Sequence, residues 1–190
     1  MRSYTTLNRS FDLSEEKTIH SQKIFEGNIV KLRVDTIQTD SGIESTREIV
    51  EHSECVAIIA VDDNSNVLLV KQYRKPVEKE LLEIPAGGID PGEDPVTAVQ
   101  RELSEETGYF PENIEMLTGF YSAPGFCTEY LYLYLATELK PYQLFAEDTE
   151  SICLIRIPLS EIPKLIASGE ICDAKSIAGL LFYLDYLKSV

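Results

Sequence analysis

The run GGIDPGEDPVTAVQRELSEETGY, Gly87 to Tyr109, constrains this chain more than any other stretch, because it fixes both ends of one short helix and loads one stripe of it with carboxylates. Asp94 followed by Pro95 predicts an N-cap and a first helical position: the carboxylate accepts an orphan backbone amide, and proline lacks the amide that would go unpaired. Gly108 supplies a left-handed C-terminal cap. Between these limits Val96, Val99 and Leu103 fall on one apolar stripe, and Glu102, Glu105 and Glu106 fall on the adjacent one through i, i+3 and i+4 spacing. Glu93 arrives from the preceding loop. Carboxylates crowded beside an apolar face repel one another unless a cation sits between them. Hard oxygen donors of this kind suit Mg2+ or Mn2+ better than zinc.

Acidic residues on a helix are usually a solvated face. A salt-laced surface helix, however, interleaves Lys with Glu at i, i+4, and no Lys or Arg follows Glu102 within this helix. Arg101 is the only nearby cation, and it fits the orientation of a ligating carboxylate better than the neutralisation of the group. The spacing therefore predicts a metal site.

A chain of 190 residues with 44% apolar content is long enough for one good core, with room for a small appendage. No apolar stretch approaches a membrane span, and the start, MRSYTTLNRSFD, lacks the apolar core of a signal peptide, so a soluble cytoplasmic protein is expected. Cys55, Cys127, Cys153 and Cys172 show no metal-ligand spacing, and two lie in apolar runs, which predicts buried free thiols. The net charge of −15 opposes nucleic acid as a partner, since binding a phosphate polymer relies on basic patches. A small phosphorylated substrate is compatible with it, because a bound divalent ion reverses the local field.

The first two dozen residues are polar and read as a loose or short leading arm. From Lys23 the segment KIFEGNIVKLRVDTIQTD alternates apolar and polar residues, and Ser41 and Gly42 mark a turn before STREIVEH. CVAIIAV and VLLVKQYR read as a hairpin of buried strands, IEMLTGFY and EYLYLYLATEL as two further strands interrupted by SAPGFCT, and SICLIRIP as the last. The end is helical: SEIPKLIAS stops at Gly169, and Asp173 caps a helix with Ile177, Leu180, Leu181, Leu184 and Leu187 on one face.

The spacing of Gly87, Glu93, Arg101, Glu102, Glu105, Glu106 and Gly108, with Leu103 and Tyr109 in the apolar slots, resembles the Nudix box, Tyr109 standing where an aliphatic residue is usual. Together with REIVEH, VKQYR, LLEIPAGGID, SAPGF with the later Glu129, and GEICDAKSIAGLL, the chain is similar to the ADP-ribose pyrophosphatase branch of the Nudix hydrolases from about Phe25 to its C-terminus. The resemblance implies an α/β fold, an α/β/α sandwich around a mixed sheet, with an N-terminal antiparallel strand unit. It implies a division into residues 1–52, an arm and strands for dimerisation, and 53–190, the hydrolase domain. In this branch the strands of one subunit contact or swap onto the other, so a homodimer is expected.

The implied reaction is Mg2+-dependent cleavage of the diphosphate of ADP-ribose to AMP and ribose 5-phosphate. A diphosphate repels an incoming nucleophile, so its cleavage requires charge neutralisation and a positioned water, both of which a divalent ion provides. By resemblance Glu102 and Glu106 would be metal ligands, with the Ala86 carbonyl in support and Glu105 as a further ligand or a group behind them. Arg101 would orient a glutamate, Glu93 would support the box through Arg101, and Gly87 would allow the close backbone turn at Ala86. Pro124, with Gly125 beside it, takes the place of a proline found after the box in this branch, at the substrate. The general base would come from the acidic loop FAEDTES, with Glu150 favoured over Glu147 and Asp148 for its place just before a strand. Arg74 is the candidate phosphate ligand, and Arg47 a second, acting across the dimer. Two alternatives stand beside this reading: another nucleoside diphosphate sugar, such as GDP-mannose, as substrate, and a non-catalytic ADP-ribose-binding domain.

Overall fold

The structure is a computed structural model that describes residues 15–142, 144 and 151–189. The chain divides into two compact units, Met1–Glu51 and His52–Val190. The first is an antiparallel sheet in the order β1 (Lys17–Glu26), β2 (Lys31–Gln38), β3 (Glu44–Glu51). Gly42, at φ 79°, turns the chain between β2 and β3 and donates its amide to the Thr39 carbonyl at 2.8 Å. The strand begins earlier than the alternation from Lys23 predicts, because Lys17 already pairs with Gln38 of β2. Every residue of β1 is exposed, so backbone pairing rather than an apolar stripe defines it.

The second unit is built on a seven-stranded mixed sheet. Its strands are β4 (Cys55–Val61), β5 (Asn66–Arg74), β6 (Lys79–Glu83), β7 (Ala86–Gly88), β8 (Tyr109–Tyr121), β9 (Tyr130–Pro141) and β10 (Cys153–Pro158), and its helices are α1 (Pro95–Thr107), α2 (Ile162–Ser168) and α3 (Ala174–Tyr186). The main path runs β10-β5-β4-β9-β8, with β4 and β9 parallel at its centre. Side chains alternate across a strand, and β4 shows the result. Cys55, Ala57 and Ile59 join Leu131, Leu133, Ile162, Leu180 and Tyr183 in one core, while Val56, Ile58 and Ala60 join Leu68, Ala98, Val99, Leu103 and Tyr134 in the other. Helices thus cover both faces, with α1 on one side and α2 and α3 on the other.

Two helix faces differ in detail from the sequence reading. Val96 is exposed, because it lies in the first turn of α1 beside exposed Asp94 and Thr97, and Ala98 is buried with Val99 and Leu103. On α3 the buried residues are Ser176, Gly179, Leu180 and Tyr183. Leu181, one step round the helix from Leu180, and Leu187, at its C-cap, are exposed. The four cysteines are free, but Cys55 alone is buried; Cys127 is half-buried and Cys153 and Cys172 are exposed.

A fork in the sheet positions the site. β5 pairs with β4 only at Leu68 and Val67, then leaves it to pair with β6 through Val70–Arg74. The freed half of the β4 edge is taken by β7, which pairs Ala86 with Ala57 and Gly88 with Cys55. A cavity of about 480 Å³ lies at this fork, lined among others by Arg74, Glu83, Ala86, Gly87 and Lys175.

Candidate functional site

α1 is capped as its sequence dictates. The Asp94 carboxylate accepts the Val96 and Thr97 amides at 3.0 and 3.1 Å, and Gly108, at φ 75°, donates its amide to the Ser104 carbonyl at 3.1 Å. These caps fix the register that lines up Arg101, Glu102, Glu105 and Glu106.

Arg101 ties the loop, β7 and the helix together. Its Nε and Nη2 donate to the two Glu93 oxygens at 2.9 and 2.8 Å, Nη2 also donates to the Gly88 carbonyl at 2.8 Å, and Nη1 donates to Glu102 at 2.6 Å. Glu105 meets the same Nη1 at 3.5 Å. Glu93 also accepts the Asp90 amide at 3.0 Å, so the loop before the helix is pinned at two points. This planar fork makes five contacts to four groups, Glu93 twice and Gly88, Glu102 and Glu105 once each, more than the three N–H donors of a lysine could serve.

Glu106 reaches the other way and accepts the Ala86 amide at 3.1 Å. Burial and the charge of Glu102 push its carboxyl up to about 8. Burial also raises Glu102, against the opposing pull of Arg101 and with reinforcement from Glu105 and Glu93. Both shifts come first from burial, with the mutual repulsion of the carboxylates adding to it. All the donors here are hard oxygens, Arg101 is engaged mainly by Glu93, and no lysine stands on the helix. The residues present therefore fit a divalent cation.

Gly87 is required by contact rather than by turn geometry. A Cβ at this position would lie 2.0 Å from the Glu102 carboxyl carbon.

At the fork, Arg74 donates twice to Glu83, from Nε at 2.9 Å and from Nη2 at 2.8 Å, and Lys175 also donates to Glu83. Lys175 is held in addition by Asp173, the N-cap of α3, at 2.9 Å. Burial raises the Glu83 carboxyl, but Arg74 and Lys175 outweigh it and hold the group below its ordinary range. Arg74 thus lines the cavity as half of an ion pair. Arg47 lies in the first unit, where its guanidinium pairs with Glu16 and Nη1 donates to the Thr46 carbonyl at 2.9 Å. Pro124 and Gly125 lie exposed at the turn between β8 and β9; Ser122 and Glu129, at the ends of that loop, line the cavity. Glu150, with Glu147 and Asp148, lies outside the described residues.

Sequence reasoning passes over Glu83, Lys175, His52 and Cys55 as site residues. Glu83 carries a signal, a charged residue inside the apolar run LLEIPAG that has to find partners if buried. His52, Cys55 and Glu129 meet on the cavity wall, where burial and the neighbouring Glu129 push the Cys55 thiol up to about 12.

Residues 51–179 match the NUDIX domain model. The chain is 42% identical over 172 residues to the methanol dehydrogenase activator of Bacillus methanolicus, covering 90% of this chain and 93% of that protein. It is 40% identical over 164 residues to the ADP-ribose pyrophosphatase of Bacillus subtilis (strain 168), covering 85% of this chain and 89% of that protein. A crystal structure of an ADP compounds hydrolase shares the fold, with a TM-score of 0.85 over 92% of this chain and 95% of that chain at 22% identity. Since the matched span contains the whole of α1 and the glutamates that Arg101 organises, the chain belongs to the Nudix family.

Proposed function

We propose that this protein hydrolyses the diphosphate linkage of ADP-ribose to AMP and ribose 5-phosphate, with Mg2+ held by Glu102 and Glu106, Glu105 beside them and the Ala86 carbonyl in support. The observation that carries the reading is the junction of two features at β7. The acidic cluster holds the Ala86 amide through Glu106, and Ala86 lines a cavity whose wall also bears Arg74 and Lys175. The volume, about 480 Å³, is in the range of a small-ligand pocket. Bound Mg2+ supplies charge neutralisation at the phosphates and activation of the attacking water. Arg101 fixes the direction of Glu102, Glu93 fixes Arg101, and Gly87 leaves room for the Glu102 carboxylate. Arg74 offers positive charge to phosphate from the cavity wall, with the remaining N–H groups of its fork. Likeness to the ADP-ribose pyrophosphatase of Bacillus subtilis supports the choice of substrate.

The test is phosphate release after phosphatase coupling across ADP-ribose, GDP-mannose, ADP-glucose, NADH and diadenosine polyphosphates. ADP-ribose is expected to lead in kcat/KM by at least about tenfold, a gap of about 1.4 kcal/mol in transition-state binding. Preference for GDP-mannose would move the assignment to that sugar nucleotide, and binding without turnover would make the protein a sensor.

Glu150 is proposed as the general base from its place in sequence shortly before Cys153, where β10 begins. Glu150→Gln is expected to lower kcat by about 10²- to 10⁴-fold with KM nearly unchanged. A larger loss from Asp148→Asn would transfer the role to that residue.

A homodimer formed through the first unit is proposed as well. β1 is exposed along its whole length and presents Ile19, Ile24 and Phe25, an apolar set that a three-stranded sheet leaves in water unless something covers it. Sedimentation of the double variant Ile24→Asp with Phe25→Asp should show a monomer where the parent chain is a dimer. A variant as dimeric as its parent would remove β1 from the interface. The free thiols support a reducing compartment, and we place the enzyme in the cytoplasm.

A further inference from the structure

His52, Cys55 and Glu129 form a second cluster, apart from the glutamates of α1 and of different chemistry. His52 lies just ahead of β4, Cys55 opens β4, and Glu129 directly precedes β9; the parallel pairing of Cys55 with Leu131 brings the three together. Sγ of Cys55 is 3.5 Å from Glu129 Oε1 and 3.9 Å from His52 Nδ1, and Nδ1 is 3.7 Å from the same Oε1. The Ser53 carbonyl oxygen accepts the Nδ1 proton at 2.8 Å and lies 3.7 Å from Sγ.

Without an ion the group is held by two hydrogen bonds, Nδ1–H of His52 to the Ser53 carbonyl and the Cys55 thiol to Glu129. A tetrahedral ion with metal–sulfur bonds of about 2.3 Å and metal–nitrogen or metal–oxygen bonds of about 2.0–2.1 Å sets its ligand atoms roughly 3.3–3.6 Å apart. The three side-chain separations lie within a few tenths of an ångström of that range.

We propose that His52, Cys55 and Glu129 bind one zinc-class divalent ion on the wall of the cavity, with a water as the fourth donor. One thiolate and one carboxylate balance the charge of the ion, and the imidazole and a water complete it without adding charge. On binding, the Cys55 thiol gives its proton to solvent, and the His52 ring gives up its hydrogen bond to the Ser53 carbonyl and takes the tautomer with its proton on Nε2, which frees Nδ1 for the metal. Sulfur and imidazole donors favour zinc over magnesium, so this site and the all-oxygen cluster of α1 select different ions. The cavity that all three side chains line gives the ion its entry path.

The full-length protein, reduced and saturated with Mg2+, is titrated with Co2+ alone and the absorption followed. One equivalent of Co2+ should produce a thiolate-to-cobalt charge-transfer band in the near ultraviolet, with intense visible bands of tetrahedral cobalt, and Zn2+ should abolish both. The band should disappear in Cys55→Ser, persist in Cys127→Ser, and need at least about tenfold more Co2+ in Glu129→Gln. Circular dichroism on each variant separates loss of the site from loss of the fold, and Glu129→Gln keeps the test decisive if Cys55→Ser does not fold. A parent protein with no thiolate band, a band that survives in Cys55→Ser, or a Glu129→Gln titration equal to the parent's would overturn the site and leave a hydrogen-bonded cavity wall.

Discussion

Glu106→Gln is expected to keep the fold and lose at least about a hundredfold in Mg2+-supported turnover, because it removes one anion of the proposed metal site while keeping an acceptor for the Ala86 amide. Stability should move the opposite way when metal is withheld. The folded-state pKa of Glu106, about 8, lies above its ordinary value of 4.5. Between those values the unfolded chain has released this proton and the folded chain retains it, so the stability of the metal-free parent falls as pH rises through that window and levels off above it. The amide variant has no proton to lose and should show a flatter profile. Thermal unfolding in EDTA from acid to mildly alkaline pH, repeated with Mg2+, measures both effects. Added Mg2+ should stabilise the parent and leave the variant nearly unchanged. Normal turnover in the variant would remove Glu106 from the metal site.

Gly87→Ala should be almost as damaging to activity by a purely steric route. The new methyl would stand 2.0 Å from the Glu102 carboxyl carbon and 2.1 Å from one of its oxygens, well inside contact distance. Since the obstacle is the end of a flexible side chain, the fold can yield by turning Glu102 away, at a stability cost of about 1–3 kcal/mol. Glu102 then leaves Arg101 Nη1, its partner at 2.6 Å, and the proposed metal site loses an oriented donor. Turnover should fall on the order of ten- to a hundredfold and partly recover at high Mg2+. Titration of activity against Mg2+, beside an unfolding curve, tests this. Unaltered Mg2+ dependence would mean that Glu102 does not serve the metal.

What can be read in the sequence of this site follows from separation along the chain. Asp94, Pro95, Arg101 and Gly108 act within α1 and its flanks, so local rules for caps and helical spacing recover both the helix and its acidic stripe. Glu83 and Lys175 are 92 positions apart, and His52 and Glu129 meet through the parallel register of β4 with β9. No local pattern encodes such meetings. The same limit affects Arg74: VKQYR shows a cation at the end of a strand, but the bidentate grip of Glu83 arises only where β5 leaves β4 for β6. Val96 departs from its stripe for a different reason, since helical angle identifies a stripe but not how far along the helix the sheet continues beneath it.

The parallel pairing of β4 with β9 has a consequence for how the chain is born. β5 follows β4 within a few residues and can pair with it at once, whereas the other edge of β4 waits for Leu131–Ala136. At roughly 5–20 residues per second on the ribosome, that edge of CVAIIAV stays unpaired for several seconds. An apolar strand open on one side for that long is a template for association with neighbouring nascent chains. Substitutions that weaken β9 should therefore reduce soluble yield in cells more than they reduce the stability of protein already folded.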